Sequence, residues 1–592
     1  MIRLTYLVLG VFCVGLTLGL AGGCDYSRGR TNAKPHGTYL PGPLALPSVV
    51  KDQSRSKTRR DSSDKALILA SSIELIKGAA LKPGGGNFKM ATQQLNQFFE
   101  GTSRSEYQLD PRTRAYLATQ LPAPLITDLE KTDWDPRTDA RHLEDCMMYS
   151  VIAGRVSGTG DDLDRTTRIF NWIMQQIELV PPTSLGTRQL PQVPARPYDL
   201  LLRGMATEAG GVWAERSWLF ISLCRQLGID AGLLTYSRGN VVEPLVKSYG
   251  TEGAVGSLSS LIKAPRQAIP WVCGALIHDR VYLYDARIGL PIPGPGGRGV
   301  ATLDQVMTDP ALLERLDLPG QEPYETSRAS LLASPSKIGV LIDSSPEYFS
   351  PKMRLLQREL SGKDRTILYR DPAEERDHFA RVLGDKAGEI KLWQVPLYVR
   401  HELFTNGQFV QASMQSMVLL GPEYPLVYAR IKQLRGDFSQ AIEDYISFRL
   451  AENVPFANSK KKDQFIPKDV QRALDAYATN YLALAQLERN NLEQARDMFL
   501  MLLDLLPEPG PNQPYYNMLR WGAHSNLGRI YEALGDRRQA IAHYSQNNPT
   551  MQHIGNLVRA REIVWENPMA RPPDPLPPAP ASAPSTEKAA AK

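Results

Sequence analysis

Three stretches near the C-terminus share one pattern, and no other feature of the chain restricts its fold so tightly. SNLGRIYEALGDRRQAIAHYSQ, from Ser525, places Leu527, Gly528, Tyr531, Gly535, Asp536, Ala540 and Tyr544 in order. YLALAQLERNNLEQARDMFLMLLDLLP puts Leu482, Ala483, Ala495, Phe499 and Pro507 at matching offsets, and VYARIKQLRGDFSQAIEDY supplies Ala429, Gly436, Asp437, Ala441 and Tyr445. Small residues let two antiparallel helices approach closely, and the aromatic fills the gap to the next pair. The spacing therefore predicts stacked helical hairpins that bury their apolar faces against one another. Ala441, Ala495 and Ala540 lie farther apart than the roughly 34 residues of a regular array, so the copies carry insertions.

This pattern resembles the tetratricopeptide repeat. The resemblance implies an all-α array over residues 401–567 with an extended groove that holds a protein or peptide segment. The Pro- and Ala-rich stretch that follows, residues 568–592, has the composition of a disordered tail.

Upstream the character changes. HLEDCMMYSVIAGRV carries apolar residues at three- and four-residue steps, and DDLDRTTRIFNWIMQQI opens with the acidic residues that suit a helix N-terminus. GGVWAERSWLFISLCRQLGIDAGLL, Gly210 to Leu234, reads as a helix stopped at Gly228, and GIDAGLLTY reads as a strand. WVCGALI, a turn at HDR, and VYLYD form a β-hairpin, followed by the loop GLPIPGPGGRG. Residues 311–400 carry one clear strand, KIGVLID, and the loop-to-helix stretch SPEYFSPKMRLLQREL, read as an α/β connecting region. Residues 63–138 read as helical, with a loop at PGGGN. No Gly-Lys-Ser/Thr follows those glycines, so they form no phosphate loop.

TRIFNWIMQQI, RPYDLLLRGMATEAGGVWAERSWLFISLCRQLGIDAGLLTY and the hairpin ending VYLYD together resemble the transglutaminase-like, papain-related superfamily over roughly 150 to 200 residues. The fold class expected is an α+β transglutaminase-like domain at 139–310, followed by the helical array. In that family a Gly-x-Cys sequence opens the central helix, a histidine begins the next strand and an aspartate closes the one after. A helix N-terminus stabilises a thiolate, and the imidazole, held by the aspartate, takes the proton. Here the Cys position falls on Trp213 and the His position near Pro270 or Trp271. Only the aspartate is matched, as Asp285. An indole is no nucleophile, so the domain is expected to be catalytically degenerate.

Displaced groups offer little compensation. Cys224 lies about 16 Å along the helix from Trp213, on the face of Ser217 and Phe220, and reads as core. A relay of Cys273, His278 and Asp285 would need Cys273 and His278 on one side of a strand, and their odd separation forbids that without a bulge. Glu208 and Glu215 suit the helix dipole without chemistry. The residues proposed to line a binding cleft are Trp213, Arg216, Trp271 and Asp285. For Arg216 a surface salt bridge is the alternative to a carboxylate in the cleft, and for Asp285 a turn cap before Arg287 is the alternative.

The N-terminus addresses the location. A basic start, an apolar run from Leu4 to Leu20 and LAGGC ending at Cys24 form a secretory signal over residues 1–23. It resembles the lipobox of bacterial lipoproteins, with Cys24 acylated, although the leucine stands four places before the cysteine rather than three. An uncleaved anchor is the alternative. Residues 24–62 read as a disordered linker whose basic run KDQSRSKTRR suits a tether beside anionic headgroups. With 68 basic and 63 acidic residues, the net charge of +5 over 592 residues does not indicate a nucleic-acid partner. Of the five cysteines, Cys146, Cys224 and Cys273 remain in the body, with no disulfide framework or metal-ligand spacing. The expectation is a non-catalytic lipoprotein of the cell envelope. It is anchored by its N-terminal lipid, needs no cofactor or metal, and binds a protein or peptide partner. The alternative is an active cysteine peptidase or acyl transferase using a displaced thiol.

Overall fold

The computed structural model describes residues 53–79, 87–181, 194–207, 214–237, 268–309, 311–319, 324, 331, 337–407, 410, 426–450, 465–508 and 514–566. The signal segment with Cys24, most of the 24–62 linker, the loop at PGGGN, Glu208, Gly210 to Trp213 and the 568–592 tail lie outside them. Two compact units are distinguished, Met1–Asp61 and Ser62–Lys592. Helix α1, Gln53–Ala79, begins inside the stretch expected to be linker. Among the described residues no helix is long and apolar enough to cross a membrane.

The second unit mixes helices with a mixed sheet. After α1 come α2 (Phe88–Phe98), α3 (Pro111–Ala118) and α4 (Ala123–Leu129). Asp110 opens α3 by accepting a hydrogen bond from the Arg112 amide, and Pro111 sits where no N–H is required. Next are α5 (Asp139–Ser157) and α6 (Asp162–Gln176), whose N-cap Asp161 accepts from the Asp164 amide. The strand β1 (Glu178–Val180) pairs in parallel with β2 (Met205–Thr207), on either side of α7 (Pro197–Arg203). Helix α8, Ala214–Gln226, then feeds β3 (Asp230–Ser237) through Gly228, whose φ of 77° ends the helix.

Strands β4 (Ala268–Ile277) and β5 (Arg280–Asp285) form the expected hairpin. His278 and Asp279 occupy its two-residue turn with φ of 48° and 57°, the double left-handed turn whose twist suits a tight hairpin. The loop expected after it is partly ordered as β6 (Leu290–Pro291) and leads to α9 (Leu303–Thr308), capped by Thr302 and Gln305, and α10 (Ala311–Glu314). Then follow β7 (Ile338–Asp343), α11 (Pro351–Glu359), α12 (Pro372–Leu383), β8 (Ala387–Trp393) and α13 (Gln394–Thr405).

The described strands of the main sheet run in the order β6-β5-β4-β3-β7-β8, antiparallel except for the β7–β8 pair. The sheet therefore does not stop at residue 310. Strand β7 pairs with β3, so the stretch expected as a connecting region completes the central sheet. Period-two alternation splits each strand between two cores. Leu233, Cys273, Ala275 and Tyr284 face the cluster built with α5, α6 and α8. Leu234, Val272, Leu276 and Leu283 join the cluster with Val340, Phe379 and Leu383. The N-terminal helices pack Ile76, Leu95 and Leu117 together with Ile342, Phe349 and Met353.

The C-terminal third is a run of helical hairpins: α14 (Leu426–Arg435) with α15 (Phe438–Leu450), α16 (Lys468–Glu488) with α17 (Leu492–Leu505), and α18 (Pro514–Ala533) with α19 (Arg537–Tyr544). Helix α20, Gln552–Glu566, follows. Each turn hinges on a left-handed residue: Gly436 at 91°, Asn490 at 60° and Gly535 at 83°. Seven positions earlier stand Ala429, Ala483 and Gly528. Five positions later stand the buried Ala441, Ala495 and Ala540, and four beyond those the buried Tyr445, Phe499 and Tyr544. Tyr445 donates to Gln433 Oε1 at 2.9 Å and Tyr544 to Glu532 Oε2 at 3.0 Å. In the middle copy both positions turn apolar, Phe499 and Leu487, so no hydroxyl is left to satisfy.

The first helix of each hairpin meets the centre of the same chain. Arg430 donates to Leu201 O at 3.1 Å and Gln176 Oε1 at 2.9 Å, Tyr481 to Leu202 O at 3.0 Å, and Asn526 to Gln175 O at 3.1 Å. Val427, Ile431 and Leu434 belong to the core of α5 and α8, and Val558 of α20 to the core on the other side of the sheet. Helix α20 comes so close that a Cβ at Gly555 would lie 1.8 Å from Ile288 O. Gly555→Ala should therefore cost about 3 kcal/mol, near the upper end of overpacking penalties. Gly78→Ala, in a helix with nothing within 4 Å, should gain up to about 1 kcal/mol. Urea midpoints of the two variants measure both effects, and equal midpoints would show that α20 does not dock against Ile288.

Candidate functional site

The residues that the transglutaminase-like pattern singles out converge around the N-terminal half of α8 and the ends of β4 and β5. Helix α8 is buried on every side from Glu215 to Cys224, an arrangement suited to a central helix. Its charged residues have partners inside the protein. Glu215 accepts from Arg203 at 2.7 Å and from the Ala195 amide. Arg225 pairs with Asp343 at 2.7 Å and lies 3.6 Å from Glu375.

Arg216 is neither on the surface nor directed at a carboxylate in a cleft. Its side chain is fully buried and donates to Ile177 O at 3.0 and 2.5 Å, to Ala286 O at 3.2 Å and to Gln552 Oε1 at 2.7 Å. Gln552 in turn donates to Ile288 O at 3.2 Å. The guanidinium thus gathers the end of α6, the turn after β5 and the start of α20. Two backbone carbonyls that regular structure leaves without partners are satisfied at once.

Asp285 acts as the cap of the turn that follows it. Its carboxylate accepts from the Arg287 amide at 2.9 Å and the Ile288 amide at 3.3 Å, from the Arg287 guanidinium at 3.3 Å and from the Tyr324 hydroxyl at 2.6 Å. The contacts expected of an orienting aspartate are taken up by a turn, an arginine and a tyrosine. Pro270, at the histidine position, lies opposite Thr235 in the part of β4 that β5 does not cover. A proline is tolerated on such an edge, where its missing N–H breaks no ladder. Trp271, expected to line an open groove, is 1% exposed and belongs to the core with Tyr236 and Tyr324. Trp213 lies outside the described residues.

The displaced relay is not assembled. Burial pushes the Cys273 thiol up to about 12, only partly offset by the Ser217 hydroxyl, and Asp285 raises it further. At neutral pH the thiolate fraction is on the order of one in 10⁵. Burial likewise raises Cys224. His278 sits exposed in the hairpin turn, while Cys273 pairs with Tyr284 inside the sheet. Cys146, the remaining described thiol, is buried beside His142 at 3.5 Å and donates to the Tyr348 hydroxyl at 3.3 Å. Burial raises that thiol and lowers His142, and both shifts disfavour a thiolate–imidazolium pair. Among the described residues no group of three or more His, Cys, Asp or Glu could hold a metal ion.

Sequence reading did not find the partners of these groups. Tyr324 reaches Asp285 across 39 positions and Gln552 reaches Arg216 across 336, and neither carries a local signal. Arg216→Met keeps the stem and removes the donors, leaving Ile177 O, Ala286 O and Gln552 Oε1 short of a partner. At about 1–3 kcal/mol for each stranded group, it should lower stability by several kcal/mol. Limited proteolysis should then cut first between α20 and the central sheet, and an unchanged cleavage pattern would remove Arg216 from its clamping role. No family model, curated protein or solved structure matches this chain.

Proposed function

We propose that this is a non-catalytic lipoprotein of the bacterial cell envelope, in which a degenerate transglutaminase-like domain and a tetratricopeptide-like array together form a binding or scaffolding body. The observation that carries the non-catalytic reading is the state of the catalytic positions. At the family's cysteine, histidine and aspartate positions the chain has Trp213, Pro270 and a carboxylate held by Tyr324 and Arg287, and the thiol of Cys273 is buried and pushed up to about 12. The order of elements supports the transglutaminase-like reading: a buried helix, a strand and then a hairpin closed by Asp285. The array reading rests on the recurrence of left-handed hinge, small residue and aromatic at fixed offsets in three helical hairpins.

The first segment that the array holds belongs to its own chain. Arg430, Tyr481 and Asn526, on the first helix of each hairpin, grip residues between Gln175 and Leu202. Partner proteins would therefore meet the composite of array and central domain rather than an empty inner face.

Two experiments test this reading. In the native protein a thiol reagent at pH 7.5 should leave Cys146, Cys224 and Cys273 unmodified over hours and label all three in urea. Rapid labelling of Cys273 with a low apparent pKa would falsify the non-catalytic assignment. Radiolabelled fatty acid should enter the protein in cells and be lost in Cys24→Ser, whereas undiminished incorporation rejects acylation at that residue.

A further inference from the structure

A basic groove lies beside α8, lined by Trp218 and Ser222, and nothing in the proposed function uses it. Two helix faces form its walls. Helix α5 contributes Arg141, Asp145 and Tyr149, and α13 contributes Val399, Arg400, Leu403 and Phe404, each set at three- and four-residue steps. The inner chamber holds about 90 Å³, with Trp218 of α8 among its lining. It opens into a mouth of about 360 Å³, which shares Arg137, Thr138, Arg400 and Phe404 with it.

The charges do not cancel in pairs. Arg196 is engaged by Asp145 at 3.1 Å and Asp199 at 2.9 Å, and Arg400 by Glu347 at 2.7 Å. The guanidiniums of Arg137 and Arg141 make no direct hydrogen bond or ion pair with a described residue, and both residues are exposed, although the carboxylates of Asp199, Asp145 and Glu144 act on Arg141 from farther away. They flank the N-terminus of α5, the helix end where the macrodipole already disfavours a cation. The repulsion is felt, since the neighbouring Arg196 holds Arg141 below its ordinary value. Two unpaired forks and a helix N-terminus all favour an anion at the same place.

Tyr149, Pro197, Trp218, Val399 and Leu403 supply apolar wall to the inner chamber, with His142, Ser222 and Ser345 among them, and Asp135 joins Arg137 at the mouth. Phe404 is 44% exposed at the mouth, with Arg400 stacked 5.4 Å from its ring centre. The inner chamber is smaller than the ~150 Å³ cavity that holds benzene, so it suits a short branched aliphatic group better than an aromatic ring. We propose that this groove binds a carboxylate carried on a small aliphatic group, with Arg137 and Arg141 receiving the carboxylate and the chamber beside Trp218 and Leu403 receiving the tail. Two sources offer that chemistry: the C-terminus of a peptide ending in leucine or valine, and a free short-chain acid. The inference does not depend on whether the thiols are catalytic or on the lipid anchor.

Isothermal titration of the purified full chain tests the proposal with four probes: a pentapeptide ending in leucine with a free carboxylate, its C-terminal amide, 4-methylpentanoate and inorganic phosphate. At least one of the two carboxylates should bind, with the amide at least tenfold weaker than the free peptide if the peptide binds. Tighter binding of the peptide than of 4-methylpentanoate assigns the site to a C-terminus, and the reverse assigns it to a free acid. Arg141→Gln should weaken binding at least tenfold while its thermal melt stays at the wild-type midpoint, and Arg537→Gln, exposed at the start of α19, should change nothing. The idea is overturned by any of four results: absence of carboxylate binding, an amide as tight as the acid, phosphate as tight as either carboxylate, or wild-type affinity in Arg141→Gln.

Discussion

The buried Arg216 guanidinium holds together at one point three segments that are distant in the sequence. It sits in the first turns of α8 and donates to the last residue before β1, to the turn after β5 and to the side chain that begins α20. A charge inside a protein is strongly destabilising unless hydrogen bonds replace its hydration, and here carbonyl oxygens and an amide oxygen do so. Because those acceptors come from distant parts of the sequence, the desolvation of Arg216 is offset only when the α6 end, the hairpin turn and α20 are all in place. That coupling gives the clamp its specificity. Misplacing one segment leaves an ion partly unsatisfied.

The helical array is subordinate to this arrangement. An open repeat array is quasi-one-dimensional, with each hairpin stabilised by its neighbours alone. Here the first helices make side-chain bonds to Gln175, Gln176, Leu201 and Leu202, and the apolar residues of α14 enter the core around α8. Stability is then shared between the sheet and the hairpins, in line with their grouping in one compact unit. Gly555 marks how close that union is, because no side chain fits between α20 and Ile288.

What could be read from the sequence was what neighbouring residues encode. The hairpin turn at His278 and Asp279, the stop at Gly228 and the alternation in β3 to β5 all follow from patterns a few residues long. The repeat offsets were legible because a left-handed hinge, a small residue and an aromatic recur at fixed spacing. Strand β8 was missed, since AGEIKLW has one buried end and no clean alternation, and its parallel partner β7 lies more than forty positions earlier. The boundary placed at 310 followed the end of the β-hairpin and its loop, whereas hydrogen bonding from β3 to β7 carries the sheet past it. Arg216 stands out as an arginine at a helix start, but its acceptors are mostly backbone carbonyls, which leave no trace in side-chain identity. The identity of Asp285 was legible as well, but its partner Tyr324 was not.

The basic groove was the least legible feature, for a physical reason. Arg137 and Arg141 look like ordinary solvated residues until α13 is brought opposite them, and only then do two cations share one concavity with Phe404. What makes the concavity suited to binding is that neither wall has to be ordered by the ligand. Helix α5 is fixed from both sides, with Leu143, Cys146 and Met147 in one core and Met148, Tyr149 and Ile152 in another. Its start is tied to α11 by the buried pair of Asp139 and Lys352 at 2.5 Å. Helix α13 is held by Leu397 in the first of those cores and Val399 in the second, and by the Leu397 amide donating to Ser344. A ligand entering between walls already fixed does not bear the cost of ordering them, and that saving distinguishes a binding site from an accidental gap. The unpaired arginines then supply the attraction that the rest of the fold leaves uncompensated.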